Sequence, residues 1–181
     1  LSVSVTQDGK TGHSLRQSVP LVWPDHPPHG VSPAMPLPSQ LVRQLTEEHI
    51  AFIQRSGLKA EVVEPGHVRL RMPLAGNQNH LGSLYAGALF TLAEVPGGAL
   101  FLSSFDSQRF IPLVKAFNLR FLRPALSDIT VEARLDAEQI AALQDSAERL
   151  GKAEFSLALQ LQDNQGQVVA LSEGLYQIRK R

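Results

Sequence analysis

Residues 77–105 read NQNHLGSLYAGALFTLAEVPGGALFLSSF, a glycine-bearing turn followed by a helical stretch that is apolar on nearly every side. A helix without a polar face is buried all round. This segment is therefore expected to form the axis of the domain, with the rest of the chain wrapped around it. Between Leu84 and Phe105 the sole charged side chain is Glu94. A carboxylate inside an apolar element is costly unless it is paired, protonated or used. Glu94 is thus either an anchor that reaches a hydrogen-bonding partner or a group that does chemistry. Just beyond it, Pro96 removes a backbone donor and with Gly97 and Gly98 predicts a kink, serving either tight packing against a strand or the widening of a pocket.

Upstream of this stretch, Leu58 to Glu64 and His67 to Met72 alternate around Pro65-Gly66 and read as a hairpin, with Val68, Leu70 and Met72 on one face. Before the hairpin, Ser39 is expected to cap one helix from Gln40 to Arg55. Leu41, Val42, Leu45, Phe52 and Ile53 would form its apolar stripe, Gly57 its stop, and His49 a packed or solvent-edge histidine. Downstream, Val114 to Arg123 reads as a strand with Phe117, Leu119 and Phe121 on one face, and Ile129 to Leu135 continues the alternation. Asp136 and Gln139 form a reciprocal capping pair for a helix through Arg149, closed by Gly151. Two strands, Ala153 to Gln162 and Gln167 to Arg179, are joined at Asp163-Asn164-Gln165-Gly166. A hairpin, one long apolar helix and about four further strands give an α+β domain with an antiparallel sheet around a helix.

Composition bounds the rest. With 181 residues and 43% hydrophobic content the chain suits one domain with a real core. Residues 1–38 form a proline-rich N-terminal extension and residues 39–181 the domain. In the extension, His13, His26 and His29 lack a metal-ligand spacing, and Trp23 reads as a packing anchor among prolines. Seventeen basic and seventeen acidic side chains give no net charge to attract nucleic acid or an anionic membrane. The absence of cysteine removes disulfides, thiolate metal sites and cysteine nucleophiles, and fits the cytoplasm. No uninterrupted membrane-spanning run, signal pattern, metal motif, phosphate loop or Gly-x-Ser-x-Gly elbow occurs, and Ser83, Ser103 and Ser104 read as helix-end or polar-contact residues.

Over residues 40–180 the sequence resembles the hotdog-fold thioesterases of the phenylacetate-pathway type and the YiiD C-terminal type. Members of these groups carry an Asn, six residues later His-Gly-Gly at the start of the long helix, and then an Asp or Glu in the helix. The matching positions here are Asn79, Tyr85-Ala86-Gly87 and Glu94. Tyr85 stands where the family has histidine, and Ala86 where it has the first glycine. The stretch DAEQIAALQDSAERLGKAEF and the ending QDNQGQVVALSEGLYQIRK resemble the YiiD-type subgroup. The resemblance implies a hotdog fold, an antiparallel sheet wrapped around a long central helix with an N-terminal covering helix. It implies an acyl-CoA thioesterase that hydrolyses a thioester to a carboxylic acid and free coenzyme A, with no cofactor and no metal.

In such enzymes the helix acid is a nucleophile or a general base. Glu94 is the counterpart, with Asn79 and Gly87 as its catalytic companions and His80, Gly82, Tyr85, Ala86 and Phe90 as substrate-binding residues. Backbone N–H groups at the helix start are the implied oxyanion hole, a role that their unsatisfied donors and the positive dipole end suit. Ala86 and Glu94 are eight residues apart in sequence, roughly 12 Å along a helix, too far to serve one carbonyl. Two chains with antiparallel helices about a twofold would bring Glu94 of one to Gly87 and Asn79 of the other. A homodimer or dimer of dimers is therefore expected, acting on an acyl-CoA or acyl-carrier-protein thioester. Arg69, Arg71, Lys115, Arg120 and Arg123 are candidates for the phosphates of coenzyme A by charge, and Phe90, Phe101, Phe105, Phe117 and Phe121 for core or acyl pocket.

Two other readings compete. His80 precedes Glu94 by fourteen residues, the separation of the catalytic pair in hotdog hydroxyacyl-carrier-protein dehydratases, although those enzymes carry Gly-His-Phe-Pro and this chain has NHLGS. The altered His-Gly-Gly segment also fits a non-catalytic acyl-binding module.

Overall fold

The structure, a computed structural model, describes residues 36–181. The expectations placed on His13, Trp23, His26 and His29 lie outside the described residues. Ten elements follow in order: α1 (Ser39–Glu48), α2 (Ala51–Ser56), β1 (Lys59–Glu64), β2 (His67–Met72), α3 (Ala86–Ser104), β3 (Phe110–Phe121), β4 (Ile129–Arg134), α4 (Ala137–Leu150), β5 (Lys152–Gln162) and β6 (Val168–Lys180). The strands form one antiparallel sheet in the order β1-β2-β4-β5-β6-β3. This sheet packs on α3, whose Leu92, Leu100 and Phe101 are essentially fully buried beside Leu70, Met72, Ile129, Leu161 and Ile178. Truncating any one of these large core side chains to alanine is worth about 2–5 kcal/mol. By length and hydropathy α3 is long and apolar enough to cross a membrane, yet it is the core helix of this sheet.

The expected single helix before the hairpin is two. Ile50 adopts extended backbone (φ −97°, ψ 110°) and starts α2 by accepting from the N–H of Gln54. Neither Pro nor Gly marks this break. A long-range tie holds the end of α2: the carbonyl of Ser56 accepts from Nδ2 of Asn77 at 2.7 Å. The break also resets the apolar stripe, so that Val42, Thr46 and Ile53 are buried while Phe52 points to solvent. Ser39 is not the cap. Pro38 holds that place, its carbonyl taking the N–H of Val42, and no side chain caps the helix. Gly57 does end α2 in the left-handed conformation (φ 69°) that glycine adopts without steric cost.

The second half matches its sequence patterns closely. The Asp136–Gln139 capping box is present in both directions, at 2.7 and 2.9 Å. The hydroxyl of Ser104 accepts from the N–H of Gly66, pinning the hairpin turn to the far end of α3. Strand β3 begins four residues earlier than its alternation suggests, at Phe110, because Phe110 to Val114 pair with the end of β6. Along β6, the alternate residues Ala170, Ser172, Gly174, Tyr176 and Ile178 are buried. Contacts of Tyr176 place this face against α3.

Candidate active site

The loop entering α3 is shaped by its own polar atoms. Asn77 donates through Nδ2 to the carbonyls of Ser56 and Pro73. Asn79 closes a tight turn: its Nδ2 donates to the Ser83 hydroxyl at 2.9 Å, and its Oδ1 accepts from the N–H of Leu81 at 2.8 Å. Gly82 sits in that turn at φ 81°. The N–H of Leu84 reaches the carbonyl of Ala125 and that of Tyr85 the carbonyl of Asn77, so the entry to α3 is fixed from two sides. His80 is exposed at the tip and makes no hydrogen bond among the described residues.

Helix α3 then starts without a side-chain cap. The N–H groups of Ala88 and Leu89 turn back to the carbonyl of Tyr85, while those of Ala86 and Gly87 donate to no group among the described residues. Two free donors at a helix start, where the dipole is positive, suit an anion or a developing oxyanion. The ring of Tyr85, itself largely exposed, lies against Gly87: a Cβ there would stand 2.5 Å from Tyr85 Cε1.

Two turns further on stands Glu94, on the least covered line of the helix. Of the residues from Gly87 to Leu102, those not classed as buried are Gly87, Phe90, Glu94, Gly98 and Leu102, spaced three or four apart and hence on one stripe. A Cβ at Gly98 would meet nothing within 4 Å. Phe90 meets Phe117 of β3 edge to face at 5.0 Å. The carboxylate of Glu94 takes part in no hydrogen bond or ion pair among the described residues, and burial alone lifts its pKa above the ordinary glutamate value. The anchoring partner that would make Glu94 a purely structural residue is missing among the described residues. An unpaired, partly desolvated carboxylate is a stronger base than one in water.

One residue of the site escaped the sequence reading. Tyr176, 3% exposed, donates from its hydroxyl to the main-chain carbonyl of Glu94 at 3.3 Å and stacks on Phe155. Its ring lies between Gly97 of α3 and Gly174 of β6. A Cβ on Gly174 would come 2.6 Å from the ring, and one on Gly97 would run into it. Burial, and secondarily the charge of Glu94, push the phenol pKa upward. Helix α3 continues through Pro96 without interruption, and the glycine after it serves close packing against a strand. The paired glycines were the available signal, but nothing local links Tyr176 to a residue 82 positions away.

Within one chain the sequence candidates fall into two groups. Asn79, His80, Gly82, Tyr85, Ala86 and Gly87 share the entry to α3, and none of them bonds to Glu94. Of the candidate phosphate ligands, Arg69 and Arg71 pair with Glu61 and Asp128, Lys115 with Glu154, and Arg123 bonds to Gln167. Arg120 alone of the five has no such partner among the described residues. Two surface clefts of about 480 and 390 Å³ lie elsewhere, against Arg71 and Asp128 and against Arg134 and Gln139. Neither is lined by α3. No group of three or more His, Asp or Glu suited to a metal ion occurs among the described residues.

Comparison with known proteins agrees with the fold. A Pseudomonas aeruginosa protein of unknown function, described as a probable thioesterase, is 69% identical and superposes with a TM-score of 0.79, over 82% of this chain and 99% of that one. A Chlorobaculum tepidum protein of unknown function (23% identity, TM-score 0.69, 79% and 94% covered) and a Haemophilus influenzae thioesterase (14%, 0.62, 80% and 92%) share the architecture. No curated protein matches the chain in sequence. Residues 39–175 match the family described as a domain of unknown function, DUF4442. The chain belongs to that family, and its six-stranded sheet around a central helix is the hotdog fold of its thioesterase neighbours.

Proposed function

We propose that the protein is a homodimeric acyl-CoA thioesterase in which Glu94 of one subunit acts with the α3 start of the other. The observation that carries this reading is the carboxylate of Glu94, without a partner among the described residues, on the least covered stripe of α3. The probable-thioesterase description of the 69% identical relative supports the reaction class. The second copy is supported by the open edge of the sheet. Among the described residues strand β3 is unpaired on one side and leaves Val114 46% and Phe121 51% exposed, a template for pairing with another chain.

In this arrangement Glu94 takes a proton from water, and the water oxygen attacks the thioester carbonyl. The oxyanion that forms receives hydrogen bonds from the N–H groups of Ala86 and Gly87 of the partner subunit. Collapse of the intermediate breaks the carbon–sulfur bond, and the proton held by Glu94 goes to the departing thiolate. Asn79 of the partner subunit shapes the loop that presents these donors. The substrate is a thioester of coenzyme A or an acyl carrier protein.

The test is hydrolysis of a panel of acyl-CoA thioesters by the native protein and by Glu94→Ala. A loss of about 10³-fold or more is expected for removal of an essential base. Equal rates in the two would take Glu94 out of the mechanism, and no hydrolysis by either would make the protein an acyl binder. Abolished activity in His80→Ala, with hydration of an enoyl thioester by the native protein, would establish the dehydratase pairing instead.

A further inference from the structure

Tyr176 occupies a slot that glycine makes possible on both sides. Gly97 and Gly174 are contributed by different elements, and any side chain at either would collide with the same ring. A glycine inside a helix costs roughly 1 kcal/mol against alanine, so the slot is kept open at the expense of α3 itself. Its flanks in the sheet are apolar as well. Gly174 lies opposite Phe117 in the β3–β6 register and opposite Leu157 in the β5–β6 register, and Phe117 touches Phe90. The hydroxyl of Tyr176 lies beside Gly174 and on the carbonyl of Glu94. An acyl group whose thioester carbon sits at Glu94 would run along this slot if the ring were absent.

We infer that Tyr176 is a specificity-determining plug: its ring fills the extension of the acyl site between α3 and β6, so the native protein takes short acyl groups and a smaller residue at 176 admits longer ones. The inference rests on the thioesterase reading of Glu94. An ordinary core tyrosine would contribute stability without controlling chain length, so the deciding readout is the length profile.

The experiment compares the full chain with Tyr176→Leu, Tyr176→Ala and Tyr176→Phe. kcat/KM is measured for acetyl-, butyryl-, hexanoyl-, decanoyl- and palmitoyl-CoA, and binding of the corresponding nonhydrolysable S-alkyl-CoA thioethers by calorimetry. Tyr176→Leu keeps the core filled should Tyr176→Ala fail to fold. The decanoyl to butyryl ratio is expected to rise by about tenfold or more in the Leu or Ala variant, the discrimination that a methylene-scale change in an apolar pocket gives. Tyr176→Phe, which keeps the ring, should retain the native profile. An unchanged ratio in a folded Leu variant, or a native protein that already favours palmitoyl-CoA, overturns the inference. If nothing is hydrolysed but thioether binding shifts with length as stated, the plug stands and the thioesterase reading falls. If no thioether binds any variant, the plug falls.

Discussion

The hydroxyl of Tyr176 donates to the main-chain oxygen of Glu94 at 3.3 Å, joining the last strand to the middle of the core helix. The bond fixes the backbone that carries the acid, and the carboxylate itself has no partner among the described residues. Glu94 is therefore held in place but not neutralised, the state a proton acceptor requires.

Stability should depend on pH through Glu94. Burial raises its folded-state pKa above the ordinary 4.5. Between those two values the native state holds a proton more often than the unfolded chain, so the contribution of Glu94 is fullest below pH 4.5, falls as pH rises through the folded value and is then level, opposite in sign to the contributions of Glu47, Glu132, Glu148 and Glu154, whose pKa values are lowered. Glu94→Gln removes this dependence. Its melting temperature at neutral pH is expected to exceed the native one. Calorimetry across pH checks the slope, and a lower melting temperature for the variant at neutral pH would mean that the carboxylate is paired in solution.

The same pKa governs catalysis. Hydrolysis should fail as pH falls through the raised value of Glu94, so the acid limb of the rate profile lies above the ordinary glutamate range. An acid limb at 4.5 would show a fully solvated carboxylate.

Subunit mixing tests the composite site. Glu94→Ala lacks the base, and Gly87→Asp puts a negative charge beside the free donors of α3; each is expected to be inactive alone. A random mixture should recover about a quarter of native activity, since half of the dimers are mixed and each of those keeps one intact site. No recovery in a mixture shown by sedimentation to exchange subunits would place both elements in one chain.

Close packing around Tyr176 gives a stability prediction. Gly97→Ala and Gly174→Ala each drive a methyl group into the ring, and each should cost about 1–3 kcal/mol in urea denaturation. Combining either with Tyr176→Leu should cost much less than the sum of the single changes. Additive costs would show that the glycines serve the backbone and not the ring.

Asp136→Ala removes the cap of α4. It is expected to cost about 1 kcal/mol of stability and leave kcat/KM unchanged, since α4 lies apart from Glu94. A drop in kcat/KM with retained stability would link this helix to the site.

Much of the architecture was legible because it is periodic or local. The alternations over His67–Met72 and Ile129–Arg134, the reciprocal pair Asp136 and Gln139, and the left-handed glycines 57 and 151 depend on neighbours a few residues away. The one long apolar helix identified the core, and its one acid the candidate base. Where contacts cross the chain, local pattern was silent. The end of α2 is held by the tie from Asn77 to Ser56, and the reach of β3 back to Phe110 depends on pairing with β6.

By itself, then, the sequence determined an antiparallel sheet around a buried helix and singled out Glu94 in the stretch 77–105, because burial and hydrophobic period are written into residue order. Only the tertiary structure decided that Glu94 lacks a partner among the described residues, that it lies on the least covered stripe of α3, and that the Tyr176 hydroxyl meets its main chain between two glycines. Those facts depend on which faces of α3 and β6 meet, and contacts between distant segments leave no local pattern from which to read them.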